Sequence, residues 1–151
     1  MTDRLPPGRV LRHLVVTSRP VSWINTAFPF GAAWLLAGGG LDATFWLGCL
    51  FFLIPYNLAM YGINDVFDYE SDLRNPRKGG VEGDVLDRRV HRTVLWAAAL
   101  TCAPFVVWLL FAGGPSVLGA VLPVLGLSLF AVVAYSMRGL RFKEIPLLDS
   151  L

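Results

Sequence analysis

The sequence predicts an all-α integral membrane protein, a bundle of transmembrane helices, and three observations predict it. Hydrophobic residues fill 55% of the 151 positions and charged residues only 16%, where a soluble domain carries about a quarter. Mean hydropathy is +0.57. The charges are also segregated: between Pro20 and Asn64 the only acid or base is Asp42, and between Thr93 and Met137 there is none. A soluble domain with buried helices would need polar faces on these segments, and they have almost none.

The apolar stretches accommodate four spans of roughly 20 residues each, placed at about 21–37, 43–63, 93–112 and 117–135. Gly38-Gly39-Gly40-Leu41-Asp42 joins the first two, and Gly113-Gly114-Pro115-Ser116 joins the last two. Both connections are short and rich in turn formers, so each pair is expected to form a tight antiparallel hairpin. Each span contains one proline: Pro29, Pro55, Pro104 and Pro123. Proline removes a backbone donor and bends a helix, which membrane helices tolerate when neighbours satisfy the freed carbonyl. One bend per helix opens room for a cavity, although proline is common in membrane helices in any case.

All 13 Lys and Arg lie outside the two hairpin turns. They precede the first span, fill the loop at about 73–92, or follow the fourth span. The positive-inside rule therefore places the N-terminus, that loop and the C-terminal segment in the cytoplasm, with the plasma membrane as the host bilayer. A net charge of +2 from groups tethered at a membrane face gives no indication of a nucleic-acid partner. The apolar run near Leu14–Val16 is too short for a signal peptide and is interrupted by Arg19 and Pro20. Cys49 and Cys102 fall inside predicted spans and read as packing residues.

Chemistry concentrates at the end of the second span, in a segment running from Asn57 through Asn64-Asp65-Val66-Phe67-Asp68-Tyr69-Glu70-Ser71-Asp72. On a helix, Asn57, Tyr61, Asn64, Asp65, Asp68 and Asp72 fall within an arc of roughly 100°, while Glu70 points elsewhere. A single polar stripe on an apolar helix must face a cavity or a partner. Each aspartate would cost about 2.5–3.5 kcal/mol at the centre of a membrane helix and less near the interface. Three on one face also repel one another, so cations are expected there. Magnesium suits the set: it is a hard ion that takes carboxylate oxygens, keeps waters and is completed by substrate phosphates. A solvated helix end would explain Asp72 alone but not the whole pattern. Arg74, Arg77 and Lys78 follow the motif, and Arg138, Arg141 and Lys143 follow the fourth span. Such groups stabilise a diphosphate leaving group, although topology alone also accounts for basic residues at these places.

Asn64-Asp65-x-x-Asp68-x-x-x-Asp72 resembles the first aspartate-rich motif of the UbiA superfamily of intramembrane prenyltransferases. Arg19-Pro20 before the first span, and Tyr135-Ser136 leading to Arg141-Phe142-Lys143, are similar to that family too. The run Arg74-Asn75-Pro76-Arg77-Lys78-Gly79-Gly80 resembles the branch that elongates lycopene to fifty-carbon carotenoids. The resemblance implies an all-helical bundle around a central cavity. It further implies Mg2+ held by Asp65, Asp68 and Asp72 with Asn64 assisting, and an allylic prenyl diphosphate such as dimethylallyl diphosphate as donor. The implied hydrophobic acceptor is lycopene. Asn57, Tyr61, Arg19, Arg74, Tyr135, Arg141 and Lys143 are the substrate-binding candidates.

The family also has a second aspartate-rich motif and about nine helices, whereas this sequence offers four spans and no second motif. Residues 1–151 are therefore expected to be the N-terminal part of such a domain and to be inactive alone. CDP-alcohol phosphotransferases also place aspartates at a helix end, but Tyr69-Glu70-Ser71 after Asp68 does not fit their motif. Quinone-precursor, chlorophyll and haem acceptors stay open, as does a non-catalytic cation-binding or transport subunit.

Overall fold

The computed structural model describes residues 5–79, 84–112, 114–137 and 140, and among them there are helices and turns but no strand. Helix α1 (Pro7–Thr17) begins on a proline, whose missing N–H costs nothing in the first turn. Its Val10 and Leu14 pack, with Leu5 and Val66, on a buried cluster of Leu86, Val90 and Val94. The chain reverses through Ser18 and Arg19 into a 3-10 turn at Pro20–Ser22 and then helix α2 (Trp23–Leu36).

Helices α2 and α3 (Ala43–Leu53) form the expected hairpin. Gly38 takes a positive φ of 87° in the turn, and Trp34 Nε1 donates to the Gly40 carbonyl at 2.8 Å. Asp42, the lone acid of this apolar region, caps α3 by accepting from Phe45 N–H at 3.0 Å. The second hairpin joins α6 (His91–Ala112) to α7 (Pro115–Ser136), with Gly114 at φ 71°.

Among the described residues three runs are long and apolar enough to cross a bilayer: Ala43–Phe67, Arg88–Phe111 and Leu118–Ser136. The first expected span is shorter. Helix α2 has 14 residues, a length of ~21 Å, because Pro20 imposes a 3-10 start and the glycine run ends it.

Of the four prolines, only Pro55 divides its helix. The second span breaks at Ile54 into α3 and α4 (Pro55–Phe67). Pro29, Pro104 and Pro123 sit inside continuous helices. The break exposes carbonyls at the end of α3, and Asn57 repairs it. Its Nδ2 lies 2.8 Å from the Phe52 carbonyl, 3.0 Å from that of Leu53 and 2.7 Å from Thr26 Oγ1. Thr26 in turn donates to the Phe52 carbonyl at 2.6 Å.

Helix α4 is the centre of the bundle, packed on α1, α3, α6 and α7. Gly62 permits a close approach to two of them: a Cβ there would stand 2.7 Å from Val94 Cγ1 of α6 and 3.5 Å from Thr17 Cγ2 of α1. Cys102 Sγ of α6 reaches the Pro55 carbonyl at 3.3 Å, a packing role for a buried thiol.

Two stability outcomes follow for thermal unfolding in detergent. Asn57→Leu leaves the Leu53 carbonyl without its side-chain donor and should cost about 1–3 kcal/mol. Gly62→Val forces α4 off α6 and α1 and should cost about 1–3 kcal/mol by overpacking. A midpoint unchanged within error in either variant would contradict the role given to that residue.

Candidate active site

Asp65 lies in the last turn of α4, with a side chain only 1% exposed. Its Oδ1 receives two cations. Arg19 Nη2 approaches to 3.2 Å, and Lys78 Nζ to 2.9 Å. The same Lys78 Nζ stands 2.8 Å from Asp72 Oδ2, and the lysine side chain is 4% exposed. Two carboxylates and two cations thus form one buried, charge-balanced cluster. Truncating one member of such a cluster strands its partner in a medium that cannot solvate it.

Each group is delivered by a different piece of chain. Helix α4 ends at Phe67, Asp68 forms a half-buried bend, and α5 (Tyr69–Asp72) continues for four residues. Asp65 and Asp72 are seven residues apart, two helical turns, so they still share a side despite the bend. The chain then folds back: Asn75 N–H donates to the Asp72 carbonyl at 3.1 Å, and Lys78 N–H to the Asn75 carbonyl at 3.2 Å. These turns aim Lys78 inward from a mostly exposed loop.

Arg19 arrives from the reversal between α1 and α2. It is the one positive-φ non-glycine residue among those described, at φ 49°. A side chain in that region costs on the order of 1 kcal/mol or more and persists only where the surroundings over-determine it. Here the ion pair to Asp65 and the Tyr61 ring, 4.1 Å below the guanidinium carbon, hold it in place. Arg19 Nε is buried without a hydrogen-bond partner.

Asn64 Oδ1 accepts from Ser136 Oγ at 2.8 Å, which ties the end of α7 to the motif. Between α4 and α7 lies a cavity of about 570 Å³, lined by Arg19, Met60, Tyr61, Asn64 and Tyr135 among others. Tyr56 belongs to its wall and also to that of an apolar cavity of about 470 Å³ walled by Phe51, Phe52, Leu109 and Leu125. A chamber that carries Arg19, Tyr61, Asn64 and Tyr135 therefore shares the wall of Tyr56 with an aromatic, apolar one.

Of the residues singled out from sequence, Arg19, Tyr61, Asn64, Asp65, Asp72 and Tyr135 come together at this site, with Asp68 at the adjoining bend. Asn57 is buried at the helix break with its amide donors engaged there, and its Oδ1 has no partner. Arg74 is exposed, with Nε donating to the Glu70 carbonyl at 3.2 Å, outside the buried cluster. Glu70 faces away as expected and pairs with Arg88. Arg141 and Lys143 lie outside the described residues. Lys78 is the residue that sequence reading undervalued: its only signal was membership of a basic loop.

The donor set fits magnesium. Asp65 and Asp72 already share one cation, and such an ion needs one or two carboxylates plus phosphate oxygens and water. Among the described residues no three acidic, thiol or imidazole groups stand together as a complete cage.

Apolar helices long enough to cross a bilayer, packed around buried carboxylates, define a multi-pass membrane protein. A sequence profile described as the UbiA prenyltransferase family matches residues 26–151, and the chain belongs to that family. It is 59% identical over 141 residues to a lycopene elongase/hydratase of Corynebacterium glutamicum, covering 93% of this chain and 48% of that protein. It is 61% identical over 145 residues to the C(50) beta-cyclic carotenoids biosynthesis protein LbtBC of Dietzia sp., covering 96% of this chain and 32% of that protein. A lycopene elongase/hydratase of Haloferax volcanii is 36% identical over 153 residues, covering 95% of this chain and 46% of that protein. The chain thus spans about half or less of the length of these curated relatives. No solved structure matches it.

Burial by itself pushes the Lys78 ammonium down, but the neighbouring Asp72 and Asp65 carboxylates outweigh it, so its pKa is raised. The sign follows: Lys78 contributes stability that is fully present below the unfolded-lysine value of about 10.4 and is lost as pH rises through the higher folded value. The thermal midpoint should fall over that alkaline window, and Lys78→Met should remove the part of the fall that Lys78 causes. Identical alkaline profiles would refute the buried ion pair.

Proposed function

We propose that the complete protein is a prenyltransferase of carotenoid synthesis, transferring a prenyl group from an allylic diphosphate, dimethylallyl diphosphate, to lycopene. Its 151 residues here would form the N-terminal part of the enzyme's domain, in the plasma membrane, with the N-terminus and the aspartate motif cytoplasmic. The orientation rests on the placement of all 13 basic residues. The observation that supports this reading is the pair of cavities that share Tyr56, one bordered by Arg19, Tyr61, Asn64 and Tyr135 and the other by Phe51, Phe52 and leucines. That pairing matches a substrate with a diphosphate head and an allylic tail.

In this reading Asp65, Asp68 and Asp72, with Asn64, would hold Mg2+, which when bound neutralises the diphosphate and makes it a better leaving group. Arg19 is held rigidly at the chamber wall by Asp65 and Tyr61 and would direct its remaining N–H groups to phosphate oxygens. Tyr135 lines the same chamber. The allylic C–O bond breaks, and diphosphate leaves with the electron pair. A terminal double bond of lycopene then supplies the electrons for the new C–C bond. The cation left on the product loses a proton or takes up water. Phe51, Phe52 and Tyr56 would shelter the cation, their ring faces stabilising it and their bulk excluding water. The three relatives support the acceptor, since their names place them in lycopene elongation or fifty-carbon carotenoid synthesis.

The test is the complete reading frame expressed in a lycopene-accumulating bacterium, with pigments resolved by liquid chromatography and mass spectrometry. Products heavier by one or two five-carbon units are expected, with Asp68→Ala lowering their yield by about 100-fold or more. Unchanged lycopene beside well-inserted protein would overturn the carotenoid acceptor and direct attention to quinone-precursor, chlorophyll or haem acceptors.

A further inference from the structure

The loop after α5 turns the side chain of Lys78 back onto the aspartate motif. Most of this loop faces outward: Leu73, Arg74, Pro76 and Arg77 are exposed and Asn75 is half-buried. Lys78 folds back, its side chain 4% exposed and its ammonium 2.9 Å from Asp65 Oδ1 and 2.8 Å from Asp72 Oδ2. Arg19 touches only one of these carboxylates and is further fixed by Tyr61. Lys78 therefore occupies the position between the carboxylates that a bridging cation would need.

A divalent ion on those oxygens would sit at about 2.0–2.1 Å. An ammonium nitrogen held within 3 Å of the same oxygens would then face a double positive charge at close range. The two cannot share the position. Lysine suits an exchange of this kind, being a compact charge with three donors on a flexible four-carbon stem. The loop is joined to the motif by two short turns and leaves through Gly79 at φ 100°, a conformation suited to glycine.

We propose that Lys78 is an exchangeable counter-cation: it holds Asp65 and Asp72 together until the divalent metal replaces it, and the released ammonium then binds the incoming diphosphate. This rests on the metal and diphosphate reading above. It adds that metal loading and the position of the 73–79 loop are one event, and that the carboxylates never stand bare.

The experiment uses the complete protein in detergent, with Mn2+ as a paramagnetic substitute for Mg2+ and inorganic pyrophosphate as the anion. Free Mn2+ is read by electron paramagnetic resonance. Lys78→Met should bind Mn2+ about tenfold more tightly than the parent without pyrophosphate, and pyrophosphate about tenfold more weakly once Mn2+ is present. Opposite signs are the signature; a lysine that merely supports the fold would weaken both. In the parent protein, acetylation of Lys78 read by mass spectrometry should rise when Mn2+ alone is added and fall again with pyrophosphate. This second measurement needs no variant to fold. Lys78 protection unchanged at saturating Mn2+, or a variant that binds Mn2+ no more tightly, would overturn the exchange. A parent protein that binds no Mn2+ even with pyrophosphate would instead overturn the metal reading itself.

Discussion

Everything at this site depends on burying Asp65. A carboxylate taken out of water at the end of an apolar helix loses several kcal/mol of solvation unless cations and hydrogen bonds replace it. The two cations that do so come from the turn between α1 and α2 and from the loop after α5. Satisfying one side chain thus fixes two distant segments against α4. The same requirement explains the left-handed backbone at Arg19. A relaxed turn would leave the guanidinium unable to reach Asp65 while stacked on Tyr61, and the local strain is smaller than the cost of an unpaired buried charge.

A second constraint comes from Pro55. In a bilayer the carbonyls it frees have no water to turn to. Asn57 and Thr26 satisfy them from within the bundle. The break divides the second span where Phe51, Phe52 and Tyr56 gather, and the apolar cavity lies against these residues. Tyr56, one residue past the proline, then forms wall to both cavities. The helix defect and the junction between the two chambers are therefore the same feature of the chain.

Much of this architecture could be read from residue patterns, because the signals are local. Segregated charges marked the apolar runs, glycine-rich turns marked the hairpins, and the seven-residue spacing of Asp65 and Asp72 put them on one side. Other features were not legible, because they depend on contacts between distant segments. Helix α1 shows only a short apolar run in sequence; its Val10 and Leu14 gain meaning from Leu86, Val90 and Val94, some eighty residues on. Asn57 lay on the polar stripe, and nothing in the spacing showed that Pro55 would claim its amide. Lys78 looked like one basic residue among several, since topology alone explains lysines at a cytoplasmic helix end. Its inward turn is set by backbone hydrogen bonds at Asn75 that no periodicity encodes.

The balance of charge in the cluster bears on how such a site can be both stable and useful. A pair of carboxylates permanently locked to arginine would be a structural element and would exclude a metal. A pair left bare would repel, and the last turn of α4 and the short α5 would lose their packing. Here the two cations differ in kind. Arg19 is planar, stacked and confined to one carboxylate, so it stabilises the site while leaving Asp72 free to change partner. Lys78 is flexible, spans both carboxylates and belongs to a mostly exposed loop. Division of labour between a fixed cation and a displaceable one keeps the motif folded before a ligand arrives and still leaves room for the ligand's own charge.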